Sequence, residues 1–234
     1  MQRLDKIISS QLNISRSVAR TDIRVGKVFV DGQLVRDPSF QVDAEKSFIK
    51  HCGQAVGYKK YIYILMNKPQ GVLSASDDKS RKTVVDLVPE SLRRQNLFPV
   101  GRLDKDTTGL LIITDDGEFA HRVISPKKNV WKTYVATLDG EVTEPMCKAF
   151  AEGVVLADGK KCRPALLTPL SDNRAQIKIS EGKYHQIKRM FGTVGLGVNS
   201  LERTALGGLS LPNELTYGEC RELSNDELSS IFDN

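Results

Sequence analysis

Three short stretches of this chain hold side chains whose types and spacing can do chemistry. The densest runs Gly101-Arg102-Leu103-Asp104-Lys105-Asp106-Thr107-Thr108-Gly109 and continues into Leu110-Leu111-Ile112-Ile113-Thr114-Asp115-Asp116-Gly117. Two carboxylates stand in a glycine-bounded loop that feeds an apolar strand. A carboxylate held on a loop by a rigid neighbour serves as a nucleophile or a proton acceptor. Asp, Thr and Gly also favour turns, and composition alone is served at least as well by a tight turn. The second stretch, Asn67-Lys68-Pro69-Gln70-Gly71, follows an apolar run and by itself reads as a turn. The third, Glu181-Gly182-Lys183-Tyr184-His185-Gln186-Ile187-Lys188-Arg189-Met190-Phe191, gathers basic side chains. They either supply counter-charge to a carboxylate or form a solvated helix start. Metal chemistry has little to stand on. The three histidines (His51, His121, His185) and four cysteines (Cys52, Cys147, Cys162, Cys220) show no ligand spacing, so no metal site is expected. The cysteines read as scattered reduced thiols.

Strands and helices must position these loops. β-rich runs fall at Tyr61–Met66, Leu110–Ile113, Lys132–Leu138, Gln176–Ile179 and Gly197–Leu201. Helical patterns fall between them at Glu118–Ile124, Pro145–Glu152 and His185–Val194. Mixed without strict alternation, they predict an α+β domain with a largely antiparallel sheet. The first 60 residues read differently. Leu4, Ile7, Ile8 and Leu12 share one helical face, and Ser15 is a plausible cap for a second helix that Gly26 ends. Asp31-Gly32 between apolar runs predicts a hairpin over Val28–Val35. Gly53 and Gly57 mark a linker.

Charge separates the same two parts. Residues 1–60 carry 11 Lys/Arg against 6 Asp/Glu, whereas residues 61–234 carry 23 of each. Arg16, Arg20 and Arg24 fall i, i+4, i+8 along the second helix and form one stripe, suited to phosphates spaced along a nucleic-acid backbone. The whole chain of 234 residues is 40% hydrophobic and 27% charged, an ordinary globular balance with room for a small and a medium domain. Its apolar runs are too short to cross a bilayer and its start is too polar for a signal peptide, so a cytoplasmic protein without membrane contact is expected.

The motifs carry two resemblances. Arg3-Leu4-Asp5-Lys6, Ser15-Arg16 and Gly26-Lys27-Val28 through Val30-Asp31-Gly32 resemble the S4-like, or alpha-L, RNA-binding module. Asn-Lys-Pro-x-Gly, Gly-Arg-Leu-Asp-x-Asp-Thr-x-Gly-Leu and Glu-Gly-x-x-His-Gln-Ile-Lys-Arg-Met, in that order, are similar to the signature series of pseudouridine synthases, in the RsuA branch. The resemblance covers essentially the whole chain. It implies an S4-like domain and linker over 1–58 and a catalytic domain over 59–234, built on a mixed, mostly antiparallel sheet. It further implies Asp104 as the catalytic aspartate, with Arg102 helping to hold the target nucleotide out of its helix. Tyr134, in Lys132-Thr133-Tyr134, would lie against the uracil. Lys188 would be the basic partner of Asp104, with the adjacent Arg189 as the competing assignment. Asn67, Lys68, Thr107, His185, Gln186 and Arg189 are the implied substrate-binding residues. Arg3, Lys6, Arg16, Arg20, Arg24 and Lys27 are the implied RNA contacts.

The implied reaction moves ribose C1′ from N1 to C5 of one uridine in ribosomal RNA. It involves no net oxidation, hydrolysis or phosphate transfer, so no cofactor is expected. Asp104 acts as nucleophile or as base toward the ribose; the residue types allow both. The implied substrate is 16S rRNA or a small-subunit assembly intermediate, and the protein is expected to act as a monomer. The S4-like module and the absence of a long basic tail favour the small subunit over 23S rRNA. Two other readings compete. Asp104-Lys105-Asp106-Thr107-Thr108 formally matches the Asp-x-Asp-x-Thr loop of magnesium-dependent phosphatases, but that loop should follow a buried strand and here follows Gly101-Arg102-Leu103. A non-catalytic ribosome-assembly factor would use the N-terminal module and leave the three later motifs idle.

Overall fold

The computed structural model describes residues 1–125 and 128–233. They form two compact units. The first holds Met1–Ile62 and, separately in sequence, Glu90–Leu97; the second holds Tyr63–Pro89 and the described residues from Phe98 onward.

In the first unit, β1 (Gln2–Arg3) leads into α1 (Leu4–Gln11) and α2 (Arg16–Arg24). The strands β2 (Val28–Val30), β3 (Gln33–Leu34), β4 (Gln41–Val42), β5 (Ile49–His51) and β6 (Gln54–Val56) follow. Ser15 caps α2 by accepting a hydrogen bond from the Val18 N–H, which satisfies one of the orphan donors of the first turn. Asp31 and Gly32 both take positive φ, +50° and +82°, the backbone of a hairpin turn whose twist matches its strands. β3, β2, β5 and β6 make an antiparallel sheet, and β1 pairs with β4. Leu4, Ile7 and Ile8 of α1 pack on Ala19 and Ile23 of α2 and on Val28, Val30 and Ile49 from the sheet. The segment Glu90–Leu97 joins this unit through Gln95, whose side-chain amide donates to the Ile14 carbonyl at 2.9 Å.

The second unit is built on one nine-stranded sheet. Its strands are β7 (Tyr63–Lys68), β8 (Phe98–Pro99), β9 (Thr108–Thr114), β10 (Lys132–Leu138), β11 (Leu166–Pro169), β12 (Arg174–Ile179), β13 (Val198–Leu206), β14 (Leu209–Ser210) and β15 (Cys220–Glu222). Its helices are α3 (Gly117–Ile124), α4 (Glu144–Glu152), α5 (Gln186–Thr193) and α6 (Asn225–Ser230). The order runs β11-β12-β10-β13-β9-β7-β15, with β8 on β9 and β14 on β13. β9 pairs parallel with β13, and the other pairings are antiparallel. The fold is therefore α+β around a mixed, mostly antiparallel sheet.

β9 is buried from Gly109 through Thr114, which accounts for its unbroken apolar run. Leu110 and Ile112 on β9 pack with Leu65 on β7 against Phe119, Ala120 and Val123 of α3. Asp116 caps α3 by accepting from the N–H groups of Glu118 and Phe119, and its second oxygen takes the Tyr63 hydroxyl at 2.7 Å. The turn at the end of β9 is thus locked, and so is the strand that carries the loop 101–107.

Candidate active site

The loop before β9 is held from behind. Lys68 ends β7, is fully buried, and directs its ammonium at four carbonyl oxygens: Thr107 at 2.9 Å, Pro69 at 3.1 Å, Asp104 at 3.2 Å and Lys105 at 3.4 Å. Burial pushes this ammonium down to about 8, against the pull of Asp106 and Asp104. Ser74 clamps the other side of the loop, accepting from the Leu103 N–H at 3.1 Å and donating to the Leu103 carbonyl at 2.9 Å. The Gly71 N–H donates to the Lys105 carbonyl. At the loop's far end Gly109 has φ +99°, and a side chain there would meet the Arg203 carbonyl oxygen at 2.3 Å. Glycine is what lets β13 close on β9 at this point.

These restraints use backbone groups, so the Asp104 carboxylate is displayed without being consumed. Its side chain is 30% exposed, and it faces the His185 imidazole, with Nε2 at 3.5 Å. His185 sits at the N-terminus of α5 in the left-handed region, φ 47° and ψ 36°, an uncommon backbone for a non-glycine residue. Its ring stacks on Tyr184 with centroids 3.9 Å apart. Glu181 holds this turn. It accepts from the Arg163 N–H, the Lys183 ammonium and the Gln186 amide at 3.0, 3.0 and 2.9 Å. Burial alone would raise the Glu181 carboxyl; these donors outweigh it and hold the carboxyl below its usual range.

A cleft of about 1130 Å³ opens over these groups, roughly the size of the larger ligand sites of ~300–1,000 Å³. Arg102, Asp104, Thr107, Tyr134, His185, Gln186 and Lys188 line it. Tyr134 lies in the floor on β10 and is 7% exposed. Burial and carbonyl cages move other expected residues out of the cleft. Asn67 turns its amide away to the Leu215 carbonyl at 2.7 Å, and Lys68 faces backbone carbonyls rather than a substrate. Gln186 lines the cleft, but its side chain is spent on Glu181 and on the Lys183 N–H.

The expected ion pair between Lys188 and Asp104 is replaced by another. Lys188, in the first turn of α5, pairs with Asp106, the more exposed of the two loop carboxylates. Its hydrogen bond holds the Asp106 carboxyl below the usual range. Arg189 is drawn off to Asp158 at 2.8 Å and lies outside the cleft. Loop geometry thus gives Asp104 a histidine neighbour instead of a lysine or arginine. Other cleft residues carry little signal in the sequence. Ser74 and Arg203 sit in stretches with no recognisable spacing, and Lys132 was visible only as the first letter of Lys-Thr-Tyr.

The basic stripe of the first unit is also partly committed. Asp5 on α1 is fully buried and draws three guanidiniums: Arg20 at 2.9 Å, Arg16 at 3.0 Å and Arg3 at 3.1 Å. Burial raises the Asp5 carboxyl, but the hydrogen bonds from Arg3, Arg20 and Arg16 prevail and hold it well below the carboxylate range. Arg3, Arg16 and Arg20 are therefore not free phosphate arms, because a buried carboxylate requires cations around it. About half of each remains exposed. Lys27 pairs with Asp22, which also takes His51, while Lys6 and Arg24 are exposed.

Comparisons with known proteins agree with both units. A family described as RNA pseudouridylate synthase matches residues 62–193, and the S4 domain matches residues 2–47. The chain is 41% identical to the uncharacterized RNA pseudouridine synthase YtzG of Bacillus subtilis, over 97% of this chain and 96% of that one. It is 39% identical to ribosomal small subunit pseudouridine synthase A of Escherichia coli K12, over 98% and 99%. A crystal structure of a pseudouridylate synthase, 37% identical, covers 99% of this chain and 100% of its own with a TM-score of 0.69.

Proposed function

Because the chain belongs to the RNA pseudouridylate synthase family, as an RsuA-like member with an N-terminal S4 domain, we propose that it isomerises one uridine of small-subunit 16S ribosomal RNA through Asp104. The observation that carries the reading is the state of that carboxylate. It stands on the cleft wall, half-buried, with its loop fixed by Lys68, Ser74 and Gly71 and its own oxygens left to the substrate.

Isomerisation breaks the bond from C1′ to N1, turns the uracil and joins C1′ to C5; the C5 proton leaves and N1 gains one. Asp104 meets the ribose, as nucleophile at C1′ or as base. Both roles need an ionised oxygen with room beside it. The target base must leave its stack, which costs a few kcal/mol. An aromatic face returns about 1–3 kcal/mol of that, and Tyr134 in the cleft floor offers one. Arg102 at the mouth and His185 beside Asp104 complete the constellation that receives the nucleotide. Lys6, Arg24 and the half-exposed guanidiniums of Arg3, Arg16 and Arg20 add salt-sensitive contacts to RNA phosphates. The protein works as a monomer in the cytoplasm on rRNA or a small-subunit assembly intermediate. Among the described residues no helix is long and apolar enough to cross a membrane. The phosphatase reading is less well served, because the long buried strand β9 follows the acidic loop rather than preceding it.

The test is tritium release from C5-labelled uridine in small-subunit RNA or particles. The wild-type protein should release tritium and the Asp104→Asn protein should not, with RNA affinity held. Release at the wild-type rate by Asp104→Asn would remove Asp104 from the chemistry.

A further inference from the structure

The floor of the cleft carries two cations for which the synthase reading has no task. Lys132 and Tyr134, two residues apart on β10, share one face of the strand. Arg203 is the antiparallel partner of Tyr134 on β13, beside a register shift between Thr133 and Tyr134. Arg203 is 3% exposed; its Nε donates to the Leu110 carbonyl at 2.7 Å, and its enclosed Nη2 has no partner among the described residues. Lys132 donates to the Val130 carbonyl at 3.1 Å. Neither forms an ion pair with a carboxylate among the described residues. Burial, and then the charge of Arg203, bring the Lys132 ammonium down to about 8. Both side chains line the cleft with Asp104 and Tyr134.

Two adjacent like charges, one with an unmatched buried donor, make an unfavourable arrangement by themselves. An anion turns it into a favourable one, since charge-assisted hydrogen bonds are the strong ones and a guanidinium grips a phosphate with two parallel donors. Two residues along a strand span roughly 6.5–7 Å. That spacing suits a nucleotide lying with its base at one residue and its phosphate near the other. We propose that Lys132 and Arg203 form an anion subsite in the cleft floor that takes a backbone phosphate of the flipped uridine while Tyr134 takes its base. The proposal rests on the cleft being the seat of the target nucleotide. It adds a phosphate anchor to that seat, distinct from the S4 domain's contacts with the surrounding RNA.

Lys132→Gln in the full chain is the informative variant, because Arg203 also ties β13 to β9. Arg203→Lys, which keeps the charge and loses the two-pronged grip, is the companion. Affinities for uridine 5′-monophosphate and for uridine are measured by calorimetry, and rRNA binding is followed against salt. The wild type should bind the monophosphate about 10-fold more tightly than the nucleoside. Lys132→Gln should erase that gap, leave uridine binding unchanged and flatten the slope of log K against log salt by about one. Arg203→Lys should narrow the gap. Equal binding of both probes by the wild type overturns the subsite. So does a gap that persists in Lys132→Gln, which would make the two cations structural or partners of Asp104. Failure of the synthase reading itself would show elsewhere, as absence of tritium release by the wild type.

Discussion

Asp5 and Asp104 stand in the two units of this chain and meet opposite fates. Asp5 is fully buried, and Arg3, Arg16 and Arg20 saturate it with hydrogen bonds at 2.9–3.1 Å. Asp104 keeps 30% of its side chain in the open, with a single histidine at 3.5 Å. One carboxylate is a staple between α1 and α2. The other belongs to a loop whose backbone is stapled by other residues, so its oxygens stay available. An aspartate fitted with cations holds a structure together; an aspartate whose carbonyl is held and whose carboxylate is not can act on something else.

The largest effect that separates the two is on turnover. Asp104→Asn should lower tritium release by about 10³-fold or more, as loss of a proton-transfer or nucleophilic group does, with unfolding by urea unchanged. A variant that unfolds early instead would make Asp104 a staple too. Asp5→Asn should do the reverse. It loses charge-assisted hydrogen bonds of about 1.5–3 kcal/mol in stability, visible as faster amide exchange in α1 and α2, while tritium release at saturating RNA stays near wild type. The acid limb sharpens this contrast. The folded Asp5 carboxyl lies below its unfolded value of about 3.9, so its stabilisation is present above that pH and is lost as pH falls toward the folded value. The gap between wild type and Asp5→Asn should therefore close below pH ~4 in an acid unfolding titration.

Smaller effects probe the surroundings of Asp104. Tyr134→Ala should cost about 1–3 kcal/mol of stacking, read as kcat/KM, and Tyr134→Phe should keep most of the activity. Equal loss in both would make the hydroxyl essential. Asp106→Asn should be mildest, within about 10-fold of wild type, because it removes the partner of Lys188 and leaves Asp104 in place. A loss as deep as that of Asp104→Asn would show that the two loop carboxylates act together and would dissolve the contrast.

Much of this was legible because it is local. Ser15 capping α2, the Asp31-Gly32 hairpin and β10 over Lys132–Leu138 follow from periodicity and turn chemistry. The S4 and synthase motifs named the fold, and Asp104, Tyr134 and His185 fall in one cleft. What stayed hidden depends on direction in space. Lys188 and Arg189 are neighbours in sequence, yet helix geometry sends one to Asp106 and the other to Asp158. Asn67 and Lys68 look like substrate ligands by motif, but the pleat aims them at Leu215 and at loop carbonyls. β13 continues to Leu206, past the apolar stretch Gly197–Leu201, through polar Glu202, Arg203 and Thr204 that gave no strand signal. Arg203 was therefore invisible as a cleft residue.

The segment Glu90–Leu97 belongs with the first unit, although 27 residues of the second separate it from Ile62. Synthesis of the chain is vectorial, so the contacts that Glu90–Leu97 adds to the first unit, Gln95 to Ile14 among them, cannot form when residues 1–62 have emerged. Those contacts must wait for Leu97, which at ~5–20 residues per second is a delay of roughly 2–7 s. During that interval the strand Tyr63–Lys68 is already outside and has neither β9 nor β15 to pair with. The nascent chain thus carries a first unit still lacking the packing of Glu90–Leu97 and an unpaired apolar strand at once, and a pause or rare-codon cluster between residues 63 and 97 would lengthen the exposure of both.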